Sequence, residues 1–126
     1  MNAPGRVLVV DDHPVNAALV NAFFKRGGWA TRMVNDGALA LEELARQPYD
    51  LVLLDISMPG LSGIDVCRAI RARPDWAGLR VVAYTAHALA EEHAALREAG
   101  FDDILTKPVD RRVVNDVLAR LRFAAL

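Results

Sequence analysis

One cysteine, Cys67, in 126 residues leaves nothing for an intrachain disulfide to pair with. Packing must therefore hold the fold together, and a reducing compartment fits that usage. Excess charge is also missing. Fifteen Lys and Arg against 16 Asp and Glu leave a net charge of −1, whereas a non-specific nucleic-acid binder needs a basic face. The N-terminal "MNAPGRVLVV" carries one Arg and its apolar run breaks at Asp11, too early for a signal peptide or a transmembrane helix. We expect a cytoplasmic chain that engages neither membrane nor nucleic acid. His13, His87 and His93 form no zinc-ligand spacing. No repeat, low-complexity tract or dividing linker is visible, so the expectation is a single domain over 1–126, long enough to bury a core without staples.

What is present is alternation. Short apolar runs at Val7–Val10, Ala30–Val34, Leu51–Leu54, Val81–Tyr84 and Ile104–Leu105 read as strands. Helix-period segments lie between them. Val15, Ala18, Leu19, Ala22 and Phe23 mark one helix face. Ala38, Leu41 and Ala45 mark a second, and Val66, Cys67 and Ile70 a third. Leu89–Ala99 is Ala-rich with a weaker face through Leu89 and Leu96, and Val113, Val114, Val117, Leu118 and Leu121 mark the last helix, expected to end at Arg122–Leu126. The punctuation agrees: Pro14 suits a first helical turn, Gly27-Gly28 and Gly100 suit helix ends, Ser62 with Asp65 reads as a capping box, and Pro48 and Pro74 stop helices. Repeated βα units predict an α/β fold, a doubly wound parallel sheet with helices on both faces.

Such a sheet binds its ligands beyond the carboxyl ends of its strands. Asp11-Asp12 ends the first strand, Asp55 the third and Thr85 the fourth, and Lys107-Pro108 follows the fifth. All these polar residues therefore fall at one edge. Three carboxylates there either raise a pKa or hold a cation. Three negative charges and the Lys107 ammonium sum to −2, which one divalent ion neutralises, and all-oxygen ligands favour Mg²⁺ or Mn²⁺ over zinc. A carboxylate can also act as a nucleophile, forming an aspartyl-phosphate. Asp55 is the candidate, since it stands alone at the end of a strand apolar on both faces, while the adjacent Asp11 and Asp12 suit ion capture. Lys107 and the Thr85 hydroxyl would contact the remaining phosphoryl oxygens.

With these residues assembled, "VLVVDDHPVN", "YDLVLLDISMPGLSG", "VVAYTAHA" and "AGFDDILTKPV" resemble the receiver domains of two-component response regulators, in order and spacing, over nearly the whole chain. The resemblance implies a five-stranded flavodoxin-like (βα)5 sheet of order 2-1-3-4-5. It implies transfer of a phosphoryl group to Asp55 from a sensor histidine kinase or a histidine phosphotransfer protein. Mg²⁺ would be held by Asp12, Asp55 and the Ser57 backbone carbonyl, with Asp11 acting through water. Lys107 would pair with the phosphoryl group ahead of a cis Pro108, and Thr85 would move toward that group on activation. The family usually carries an aromatic three positions before the lysine, where this chain has Ile104. Tyr84 alternates to the other face of the sheet from Thr85 and is not read as its substitute.

No output domain is expected in the chain, so signalling would run through a downstream protein reading the face of the fourth helix, fifth strand and fifth helix (the α4-β5-α5 face), or through onward phosphotransfer. "VDDHPVN" and "TAHA" look like receivers attached to hybrid histidine kinases. The chain would catalyse only its own phosphorylation and dephosphorylation. A degenerate receiver serving purely as a protein-interaction module is the alternative. A dehalogenase-type phosphatase would need a second acid at position 57, which is Ser, and a flavin binder would need a phosphate-cradling loop where this chain has "DDHPVN". His87 and Ser57 are candidates for tuning water access to the phosphoryl group. His13 reads as a solvent-facing residue at a helix start, Cys67 as core and Trp76 as local packing.

Overall fold

A computed structural model of the chain describes residues 4–58, 60–86, 90–107 and 109–126. Five strands alternate with five α-helices: β1 Arg6–Val10, α1 Pro14–Arg26, β2 Ala30–Val34, α2 Gly37–Arg46, β3 Leu51–Asp55, α3 Gly63–Arg71, β4 Arg80–Thr85, α4 Ala90–Ala99, β5 Asp103–Thr106 and α5 Arg111–Arg120. A short 3₁₀ turn, Pro74–Trp76, precedes β4. The strands form one parallel sheet of order β2-β1-β3-β4-β5, as the sequence predicts.

Alternation along the inner strands divides the core in two. Val7, Val9, Leu51, Leu53, Val82 and Tyr84 point to a layer closed by α1 and α5. Leu8, Val10, Val52, Leu54, Val81 and Ala83 point to a layer closed by α2, α3 and α4. β1 and β3 are buried on both faces, hence their unbroken apolar runs. β2 lies at the edge and is largely exposed, Met33 at 47%.

The marked faces of α3 and α5 are the buried ones: Val66, Cys67 and Ile70, then Val114, Val117 and Leu118, with Val113 half-buried. Helix α5 stops at Arg120, short of the expected end. The faces expected of α1 and α2 need correction. In α1 the buried residues are Ala17, Val20 and Phe24, while Val15 is 81% and Leu19 45% exposed. This helix is apolar nearly all round, so two stripes of similar strength compete. The fold selects the stripe carrying Phe24, whose ring meets Trp29 edge-on at 5.3 Å, and Trp29 meets Phe123 at 5.2 Å. Such aromatic pairs add about 0.5–1.5 kcal/mol beyond the area they bury. In α2, Ala40 and Leu44 are buried and Ala38 and Ala45 exposed, with Leu41 between. In α4, Leu96 and Ala99 are buried, while Leu89 lies outside the described residues.

Helix starts are fixed locally. Pro14 opens α1, and the Ser62–Asp65 capping box opens α3. Two caps the sequence reading did not mark are Asp36, accepting from Leu39 N–H at 2.8 Å, and Asp110, accepting from Val113 N–H at 2.9 Å. Gly100 ends α4 at φ +113, a left-handed value that favours glycine. Trp76 packs locally, beneath the Arg73 guanidinium at 3.9 Å. Cys67 is fully buried, and burial pushes its thiol up to about 11, so it is inert. Among the described residues no helix is long and apolar enough to cross a membrane.

Candidate functional site

Because all five strands run the same way, their carboxyl ends share one edge, and the chemistry-bearing residues converge there. Asp11 follows β1 directly, held by its N–H to the Val34 carbonyl at 3.1 Å. Asp55 is the last residue of β3 and Thr85 the last of β4. Lys107 follows β5, its backbone N–H donating to the Thr85 carbonyl at 2.8 Å.

Ligand atoms of Asp11, Asp12, His13 and Asp55 all lie within 4.8 Å of one another. Asp11 is 2% and Asp55 1% exposed. Two like charges that close repel by about 3–4 kcal/mol at an effective dielectric near 20. The fold offsets part of this. Asp11 Oδ1 accepts from His13 N–H at 2.9 Å, Asp55 Oδ1 accepts from Ser57 N–H at 3.0 Å, and Lys107 Nζ stands 3.3 Å from Asp55 Oδ2. Burial, reinforced by the Asp55 carboxylate, still pushes Asp11 above the usual carboxylate range. Asp11 Oδ2 and Asp12 Oδ1 are buried without a hydrogen bond among the described residues. Buried carboxylate oxygens without donors are what a divalent oxygen-seeking cation satisfies, so the residues present fit Mg²⁺ or Mn²⁺.

His13 sits at the start of α1 with its side chain 65% exposed, as expected, yet its Nδ1 also comes within 3.2 Å of Asp12 Oδ1. That contact has no sequence signature beyond adjacency. Ser57 is exposed, and its backbone touches the nucleophile candidate. His87 and Pro108 lie outside the described residues. Ile104 is 7% exposed in the layer of α3 and α4, whereas Tyr84 belongs to the opposite layer, as alternation required. What sequence reasoning missed is where the Tyr84 ring leads: Lys107 Nζ stands 4.6 Å from its centroid.

Residues 7–119 match the family described as "Response regulator receiver domain". The chain is 39% identical over 124 residues to the sensor histidine kinase GacS of Pseudomonas protegens, covering 96% of this chain and 14% of that protein. It is 39% identical over 119 residues to the probable transcriptional regulatory protein TcrX of Mycobacterium tuberculosis, covering 94% and 49%. The chain thus spans only a part of each curated relative. Among solved structures it resembles a putative response regulator from Chloroflexus aurantiacus, with TM-score 0.87, 28% identity and coverage of 94% and 98%. It also resembles the receiver domain of a Pseudomonas aeruginosa sensor histidine kinase, with TM-score 0.83, 33% identity and coverage of 93% and 96%; that structure has a magnesium ion coordinated in the active site cleft.

Proposed function

The chain belongs to the response regulator receiver family, and from that premise we propose that it is a phosphoacceptor, taking a phosphoryl group from a phosphohistidine onto Asp55. The observation that carries the reading is the 3.3 Å approach of Lys107 Nζ to Asp55 Oδ2 beside two buried oxygens, Asp11 Oδ2 and Asp12 Oδ1, that have no hydrogen bond among the described residues. A carboxylate wanted only for structure needs no second buried acid at its side.

An Asp55 carboxylate oxygen attacks phosphorus, the P–N bond breaks, and the imidazole of the donor leaves with the electron pair. Lys107 follows the developing charge from the carboxylate to a phosphoryl oxygen, and the Thr85 hydroxyl contacts another. Asp12, Asp55 and the Ser57 carbonyl would hold Mg²⁺, with Mn²⁺ as a substitute and Asp11 acting through water; when bound, the ion neutralises charge shared between nucleophile and phosphoryl oxygens. Ser57, at the rim, would tune water access and with it the lifetime of the acyl phosphate.

The chain is a signalling module of two-component systems, not an enzyme acting on an outside substrate. Its donor would be a sensor histidine kinase or histidine phosphotransfer protein. The exposed Val15 and Leu19, on the helix that starts just after Asp12, offer such a donor apolar surface. Output would go to a protein reading α4, β5 and α5, or onward to another histidine. We read residues 1–126 as one receiver domain.

Incubation with phosphoramidate and Mg²⁺, followed by intact mass, tests this. One phosphoryl adduct on the wild type and none on Asp55→Asn is expected. No adduct on the wild type with donor and metal present would favour a receiver that acts through protein contacts alone.

A further inference from the structure

We propose that Tyr84 is a positioning residue for Lys107: its ring is the seat on which the ammonium rests while it faces Asp55. This deepens the phosphoacceptor reading and rests on it. Lysine is a flexible four-carbon stem, and its aim must be imposed. Here the backbone sets both ends of the arrangement. Asp55 and Tyr84 are direct partners across β3 and β4, and the Ile56 N–H donates to the Tyr84 carbonyl at 3.1 Å. The Lys107 N–H donates to the next carbonyl, of Thr85, at 2.8 Å. The ammonium ends 3.3 Å from Asp55 Oδ2 and 4.6 Å from the Tyr84 centroid, within the range of a cation–π contact.

Tyr84 is 1% exposed, fixed in the layer under α1 and α5 beside Val82 and Leu105. The ring cannot swing away, and the Lys107 side chain is only 18% exposed. Water that would otherwise solvate the ammonium from below is replaced by the negative face of the ring. Burial, with the Asp11 and Asp55 charges adding, pushes the Tyr84 hydroxyl up to about 12. It therefore stays protonated, and the attraction comes from the ring and not from a phenolate. Ile104, where the family usually carries an aromatic, lies in the opposite layer, so the Tyr84 ring serves the lysine from a different face.

The experiment follows adduct formation from phosphoramidate and Mg²⁺ in the wild type, Tyr84→Phe and Tyr84→Met, each with Lys107 and with Lys107→Ala. Tyr84→Phe should keep the wild-type rate, because it keeps the ring. Tyr84→Met, close in volume, should slow transfer roughly three- to tenfold with Lys107 present and not at all with Lys107→Ala, while Mg²⁺ affinity by calorimetry stays unchanged. Equal slowing in both backgrounds would show a structural role only, and no slowing would remove the role altogether; either overturns the proposal. Proton NMR of the wild type supplies a readout independent of chemistry and of variant folding. The Lys107 ε-methylene should be shifted upfield by the ring current. Resonance at the free-lysine position would sink the seat even if Asp55 accepts phosphate, and absence of any wild-type adduct with the upfield shift present would instead indict the phosphoacceptor reading.

Discussion

Removing a charge from the acid cluster should stabilise the metal-free protein, and Asp11→Asn is the cleanest way to do it. Asp11 Oδ1 already accepts from His13 N–H at 2.9 Å, a bond the amide oxygen preserves. Its Oδ2 has no hydrogen bond among the described residues, and an amide nitrogen there becomes a donor toward neighbouring acids. The ligand atoms of Asp12 and Asp55 lie within 4.8 Å. Each such repulsion ranges from about 1 kcal/mol in water to about 3–4 at an effective dielectric near 20. Lys107 attracts Asp11 and lowers the net gain, as does partial protonation of Asp11, whose pKa burial raises. We expect Asp11→Asn to raise unfolding stability by about 1–3 kcal/mol at pH 7 in chelator and low salt, read as a higher urea midpoint at unchanged slope. Mg²⁺ should reverse the order. A ligand at a hundred times its Kd stabilises the native state by about 2.7 kcal/mol, and the variant, short of one carboxylate, should gain far less. A chelated Asp11→Asn protein less stable than wild type would refute the argument, for it would mean that the three acids are not in mutual repulsion.

Gly63→Ala should destabilise the fold by about 1–3 kcal/mol, because a Cβ there would sit 2.5 Å from the Asp55 carbonyl oxygen and 3.0 Å from Ile56 Cα, backbone atoms that cannot rotate aside; denaturant melts check it, and adduct formation on Asp55 should slow as well. Glu43, a buried residue of α2, is held down to about 2 first by its hydrogen bonds from Arg46, with Tyr49 and Gln47 adding. A depressed carboxylate pKa stabilises the fold above the unfolded value near 4.5 and loses that contribution as pH falls toward 2. Glu43→Gln should therefore cost about 1–2 kcal/mol at pH 7, and its stability should fall less steeply than that of the wild type between pH 5 and 2 in a series of urea melts.

The fold and the site are legible in the sequence where the information is local or follows from topology. Ser62 and Asp65 cap α3 through bonds three residues apart, and spacing alone exposes that. The strand-end acids need only the βα alternation, since a parallel sheet brings every carboxyl end to one edge. Long-range pairs leave no such trace. Arg71 binds Asp102 at 2.7 Å, the Gly100 carbonyl at 2.8 Å and the Leu79 carbonyl at 2.9 Å, tying the end of α3 to the turn before β5 and to the residue before β4. Nothing in either segment's periodicity announces it. The face of α1 failed for a different reason. Val15, Leu19 and Ala22 satisfy the helical period as well as Val20 and Phe24 do, and the choice is made by Trp29 and Phe123, residues the helix itself does not contain.

The lysine belongs to the same problem and shows how topology can answer it. β4 lies between β3 and β5, and strands are spaced about 4.8 Å apart, so a residue following β5 must reach across about 10 Å to touch the end of β3. It can cross only over the end of β4. The side chains there are those of Tyr84 on one face and Thr85 on the other. Whichever path the stem of Lys107 takes, one of these two residues is its neighbour, and the 4.6 Å contact places the ammonium over the Tyr84 ring. A five-stranded sheet of order 2-1-3-4-5 thus makes a residue at the end of the fourth strand an obligatory neighbour of the ammonium. Alternation sets Tyr84 on that path, in register with Asp55, and turns Thr85 to the other face.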